Sequence, residues 1–281
     1  MWLMHCNKLH ILYISLILSF VTSFGQNQAA TQRLFDIVAK EEAIYKKIAA
    51  DPNFYSDADI ERRVIELIEA YENYLENTSD DLEALILYGK LLRRAGDSET
   101  AFQVFLRADQ LDPKLAVVKQ QIGTYLAEKG KGKAALLYYQ QAVEYEPESA
   151  VYNFGLGQLL YQFCNEFVNA EIYTRDAIDR EIIKAFSKAV VLRPNSFDYY
   201  IRLGAAYNDQ ASPDWKAALS HWQKPNQSFK ESYQIEIIQL HTARVLGKLG
   251  RHEEARKLAE SVKNTALQKS KQEVLDELVQ F

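Results

Sequence analysis

At 281 residues, 48% apolar and 25% charged, the chain has the composition of an ordinary folded protein, which excludes intrinsic disorder and a polytopic membrane protein. Its formal net charge of -5 argues against general nucleic-acid binding, because such proteins need a basic face to displace counterions from phosphate.

The first 25 residues follow different rules from the rest. Lys8 supplies the one firm charge of the start, Leu9 to Phe24 is an uncharged and mostly apolar run, and Ser23-Phe24-Gly25 forms a cleavage-like site before Gln26. This pattern predicts a secretory signal peptide over residues 1–25. An uncleaved anchor is the alternative, but the run of 16 residues is shorter than the roughly 20 needed to span a bilayer as a helix. Export would leave Cys164 as the one cysteine of the mature chain, since Cys6 lies within the signal, and so no internal disulfide could form. A lone Cys beside Phe163 reads as packing rather than as a reactive thiol.

From Asn27 to Ala50 the apolar residues Leu34, Ile37, Val38, Ile44, Tyr45 and Ile48 recur at helical spacing. Asp51-Pro52-Asn53 ends that helix. Ser56, with Asp59 three residues on, then predicts the N-cap of a second helix running to about Glu76. The stretch 26–81 reads as capping helices with a degenerate half repeat, stopped by Asn77-Thr78-Ser79-Asp80-Asp81.

Two regular units follow, Leu82 to Leu115 and Ala116 to Ser149. Gly89 and Gly123, Leu92 and Leu126, Gly96 and Gly130, Ala101 and Ala135, Phe105 and Tyr139, Ala108 and Ala142, and Pro113 and Pro147 all lie 34 positions apart. Small residues recur where two helices must touch, and aromatics where they interlock. Gly96 and Gly130 suit left-handed turns between the helices. In these residues the chain resembles the tetratricopeptide repeat family, with Leu85 and Lys119 where the family's Trp usually stands.

A third unit begins at Ala150 with Leu156, Gly157 and Leu160 in register, yet Phe186, Ala189 and Pro194 arrive 13 positions late. An insertion therefore lies within about 162–181. Its Phe167, Val168, Ile172, Tyr173 and Ile178 could either extend both helices into a self-burying hairpin or project toward a partner. The fourth unit starts near Phe197, and its Ser212-Pro213-Asp214 turn predicts a cap followed by Pro at the first helical position. Pro225 stops its second helix early. The fifth unit runs from about Glu236, with Ala243, Leu246, Gly250 and Ala255 in register and Ala259 in place of the aromatic. Repeats over 82–262 are then closed by a C-terminal capping helix within 263–281.

No catalytic constellation is legible. His221, His241 and His252 have no metal-ligand spacing and read as packing or surface residues. Gly155-Leu156-Gly157 lacks the preceding strand and third glycine of a nucleotide-binding turn. The chain is accordingly expected to be no enzyme and to hold no cofactor and no metal.

The resemblance implies an all-α, right-handed superhelix (α-solenoid) of about five helix pairs with helical caps, whose first helices line a concave groove. Carried over by register, the lining residues are Ile86, Lys90 and Arg93, then Gln120 and Thr124, then Phe154, Gln158 and Tyr161, and finally Ile201, Asn208, Leu240 and Arg244. A groove of this kind suits a peptide or helix segment. The family's carboxylate clamp is absent, because Ile86, Gln121 and Gly155 occupy its positions. The implied function is an exported scaffold or adaptor for other proteins of the cell envelope, periplasmic or secreted, with no membrane span after signal cleavage and an open oligomeric state. A self-assembling structural envelope protein is the alternative. On a eukaryotic secretory route, Asn77-Thr78-Ser79 and Asn226-Gln227-Ser228 would accept glycans.

Overall fold

In a computed structural model the described residues are 28–279, and they are wholly helical apart from short connections. The signal-like run lies outside them. The helices are α1 (Gln28–Ala50), α2 (Asp57–Asn77), α3 (Leu82–Arg94), α4 (Ser98–Leu111), α5 (Ala116–Glu128), α6 (Gly132–Tyr145), α7 (Ala150–Gln162), α8 (Cys164–Asn169) and α9 (Arg175–Leu192). They continue with α10 (Phe197–Asn208), α11 (Trp215–Trp222), α12 (Ser232–Lys248), α13 (His252–Glu260) and, after one 3-10 turn (Thr265–Leu267), α14 (Gln268–Val279). The chain divides into two compact units, one ending at Pro113 and one beginning at Lys114.

In the N-terminal unit the starts of α2, α3 and α4 are each set by a side-chain cap. The Ser56 hydroxyl accepts from the Asp59 amide at 3.2 Å and donates to the Asp59 carboxylate at 2.8 Å. Asp81 and Asp97 likewise accept from the amides of Ala84 and Thr100 at 3.1 and 3.0 Å. The pair α3 and α4 closes through Gly89, where an added Cβ would lie 2.8 Å from the Phe105 ring. Phe105 is 1% exposed, a burial that stabilises by about 2 to 3 kcal/mol. A buried carboxylate ties α1 to its neighbours: Glu41, on α1, takes a 3.0 Å bond from the Tyr71 hydroxyl on α2 and pairs with Arg94 at the end of α3. Burial, reinforced by the charge of Glu41, pushes the Tyr71 phenol well above its ordinary range.

The C-terminal unit repeats the same contact with different partners. Gly123 faces Tyr139, Gly157 faces Phe186 and Gly204 faces Trp222, with a hypothetical Cβ 2.9, 2.7 and 2.0 Å from the opposing ring. Gly130 and Gly250 adopt φ of +70° and +76°, and Gly96 in the N-terminal unit +90°, so each of these pairs turns through a glycine in the left-handed region.

The third pair departs from expectation. Its first helix, α7, has 13 residues, the same as α3 and α5, so the insertion does not lengthen it. The added residues form the short helix α8, a turn through Glu171 at φ +57°, and the start of the 18-residue α9. Phe167 and Ile178 are fully buried, whereas Ile172 stays 43% exposed. The insertion is folded back on the repeats. Phe163 packs against Gly132, the Glu166 carboxylate accepts from the Lys133 amide at 3.2 Å, and the Gln140 amide meets the Tyr173 hydroxyl at 3.3 Å. On its other side Arg175 bonds the buried Asp179 at 2.9 Å and the Asp209 carbonyl at 2.8 Å, and Asp179 accepts from the Ala211 amide at 2.8 Å.

Two other expectations shift. The cap of α11 is Asp214, which accepts from the Lys216 and Ala217 amides at 3.0 and 2.9 Å, so Pro213 precedes the cap instead of opening the helix. The fifth pair begins at Ser232, one turn earlier than Glu236. His221 on α11 of the fourth pair and His241 on α12 of the fifth are packing residues: His221 stacks on Tyr200 with ring centres 4.2 Å apart, and His241 on Trp222 at 4.5 Å.

Candidate interaction face

The first-helix positions separate into three groups. In the N-terminal unit Ile86, Lys90 and Arg93 lie along α3 and are all half-buried. The second group belongs to α5 and α7. The Thr124 hydroxyl donates to the Gln120 carbonyl at 2.8 Å and lies 3.0 Å from the Tyr139 hydroxyl, so it is engaged within its own pair. The α7 residues Phe154, Gln158 and Tyr161 meet α10. Phe154 stacks on Tyr199 with ring centres 4.2 Å apart, Gln158 accepts from Arg202 Nε at 2.9 Å, and the Arg202 guanidinium sits 3.7 Å from the centre of the Tyr161 ring. Arg202 also approaches Asp209 at 3.6 Å and the Phe186 ring at 4.9 Å. Three successive turns of α7 thus share one surface with Tyr199 and Arg202.

Neither Tyr199 nor Arg202 is among the register-derived positions. They occupy the third and sixth places of their unit, and their roles depend on where α10 lies beside α7, which periodicity does not report. The available signal was the bulk of an aromatic and an Arg on a first helix, both residue types that anchor interfaces.

The third group lies near the C-terminus. Ile201 packs partly on the core and Asn208 is half-buried. Leu240 corrects the sequence reading: at 3% exposed it belongs to the core cluster around Trp222 and Val245 and offers no surface. Arg244 is taken up by α14, whose Glu277 and Glu273 lie 3.3 and 3.7 Å from its guanidinium. One turn later a Cβ on Gly247 would lie 2.5 Å from Leu278. Helix α14 thus occupies this face of α12.

Among the described residues no group of three or more His, Cys, Asp and Glu could hold a metal ion, and no helix is long and apolar enough to cross a membrane. Cys164 is buried, which raises its thiol above the ordinary range.

The tetratricopeptide repeat model matches residues 68–116 and 121–197. Over these two stretches the chain carries tetratricopeptide repeats. Solved structures agree in fold. A TPR repeat-containing protein from Cytophaga hutchinsonii superposes with a TM-score of 0.58 at 20% identity, covering 89% of this chain and 99% of the other. YrrB, described as a TPR protein with an unusual peptide-binding site, gives 0.56 at 15% identity over 76% of this chain and 97% of YrrB. MamA gives 0.51 at 19% identity over 71% and 94%. No curated protein matches the sequence significantly. The fold is all-α and of the α-solenoid class, a class built to present surfaces to other proteins.

Proposed function

We propose that this protein is an exported, non-enzymatic scaffold that holds a peptide or helix segment of a cell-envelope protein against the shared face of α7 and α10. The observation that carries this reading is the track formed by Phe154, Tyr199, Arg202 and Tyr161. Aromatic rings and an Arg held over one of them are the side chains that dominate interface energies, and here they are fixed before any partner arrives. Arg202 is held by stacking and by Gln158, so little side-chain entropy is left to lose on binding. Tyr161, 43% exposed, and the exposed amide of Gln158 supply the accessible edge. The peptide-binding site in YrrB's description supports the same use of the fold. Export rests on the apolar run from Leu9 to Phe24 and on Gly25 as a cleavage point.

The test is crosslinking in the native envelope with the mature chain as bait, run beside a Phe154→Ala, Tyr161→Ala variant. Partner capture should fall about tenfold or more in the variant, the loss expected for two anchor side chains, while far-UV circular dichroism stays the same. Unchanged capture would remove the groove from the mechanism.

A further inference from the structure

A second surface lies away from that track, where α11 meets the turn between α12 and α13. Lys216 and Leu219 of α11 and Gln223 and Lys224 just past its end, with Leu249 and Arg251 of the turn, line an open cleft of about 510 Å³. None of its lining residues is acidic. Arg251 is already neutralised by Glu254, with its two bonds at 2.6 and 2.8 Å. Lys216 and Lys224 are exposed and form no ion pair among the described residues. The local sequence is segregated in the same sense: residues 215–230 carry three Lys and no Asp or Glu, in a chain that has 38 acidic residues.

We infer that this cleft is a docking site for an acidic, extended peptide segment of a partner protein, of the pattern acidic–x–apolar–x–acidic. The geometry sets that pattern. Lys216 lies in the first turn of α11 and Lys224 two residues beyond its end; the helix from Lys216 to Trp222 alone rises about 9 Å, and each long Lys stem adds reach beyond that. Two side chains four residues apart in an extended strand lie about 13 Å apart on the same face, so two carboxylates so spaced meet both ammonium groups at once. The residue midway between them also faces the cleft, where Leu219 and Leu249 form an apolar floor. Charge complementarity selects the partner and speeds its encounter, and the floor adds burial.

Fluorescence anisotropy with the mature full chain tests this. The probe is a fluorescein-labelled peptide with the core Glu-Ser-Leu-Ser-Glu, titrated at low salt against Lys-Ser-Leu-Ser-Lys and Glu-Ser-Ser-Ser-Glu controls. The acidic peptide should bind about tenfold more tightly than either control and weaken as salt rises. Lys216→Glu with Lys224→Glu should abolish the preference, and Lys216→Gln with Lys224→Gln should reduce it partly. Both pairs are solvent-exposed, and circular dichroism checks that they leave the fold intact. Phe154→Ala with Tyr161→Ala should leave this affinity unchanged, which separates the cleft from the α7 and α10 track. Equal binding of all three peptides, or an unaltered affinity in the charge-reversed variant, would overturn the inference. So would a concentration-dependent increase in mass by light scattering that the charge-reversed variant lacks while its peptide affinity persists, since the cleft would then join copies of this chain.

Discussion

The hairpin of α3 and α4 and the hairpin of α7 and α9 begin from one repeat pattern and turn in different ways. In the first, Gly96 takes φ of +90° and three residues, 95–97, suffice to reverse the chain. In the third pair the same register position holds Cys164, and the connection between the two long helices becomes the 12 residues 163–174. Ala211 fills that position in the fourth pair, and there too the link lengthens, to the six residues 209–214. A Cβ in the left-handed region costs about 1 to 2 kcal/mol, so a pair without the glycine reverses by a longer route. The longer route has acquired work. Asp97 caps α4 from within its own pair, whereas the ammonium side chain of its counterpart Lys131 cannot accept a hydrogen bond, and Glu166 of the insertion supplies a carboxylate to the start of α6 instead.

The comparison can be broken or sharpened at several points. The largest effect is expected where glycine serves contact and not turning: Gly204→Ala would drive a methyl into Trp222, whose ring is 1% exposed, and should destabilise by about 3 kcal/mol in urea unfolding. Phe167→Ala, inside the insertion, should cost about 3 kcal/mol by the same measurement, and a cost near zero would show that the insertion does not brace its neighbours.

Acid should act next. Burial lowers both His221 and His241 to about 4 in the fold, below the ordinary 6.5. Between those values the unfolded chain binds protons that the folded chain does not, so stability should fall as pH drops through that window, by a few kcal/mol in all. His241→Gln should flatten the slope of melting temperature against pH.

Gly130→Ala should cost about 1 kcal/mol through its φ of +70°, with no lost packing, because nothing lies within 4 Å of the added Cβ. Smallest and most specific, Glu166→Ala should cost about 1 kcal/mol or less, and Lys131→Asp should restore that loss by giving α6 a cap of its own. Additive effects of Glu166→Ala and Lys131→Asp in a double-mutant cycle would mean that the insertion does not serve as the cap.

Much of the fold was legible because a repeat is a local statement made several times. Gly89 opposite Phe105 and Gly123 opposite Tyr139, the left-handed turns at Gly96, Gly130 and Gly250, and the Ser56 cap all follow from residue type and spacing within 16 positions. Helices, turns and pairings of that range are set by steric fit and hydrogen bonding between near neighbours in the chain. What only the tertiary structure decided lies between pairs. Arg202 over Tyr161, Glu166 at the start of α6, and Arg244 bound by Glu273 and Glu277 join residues 41, 33, 29 and 33 positions apart. The same holds for Leu240, which has the register of a groove residue and the burial of a core one. Periodicity names the face a side chain occupies on its helix, but whether that face meets water, a neighbour or a capping helix depends on how successive pairs stack, and stacking is set by side-chain volumes from several pairs at once.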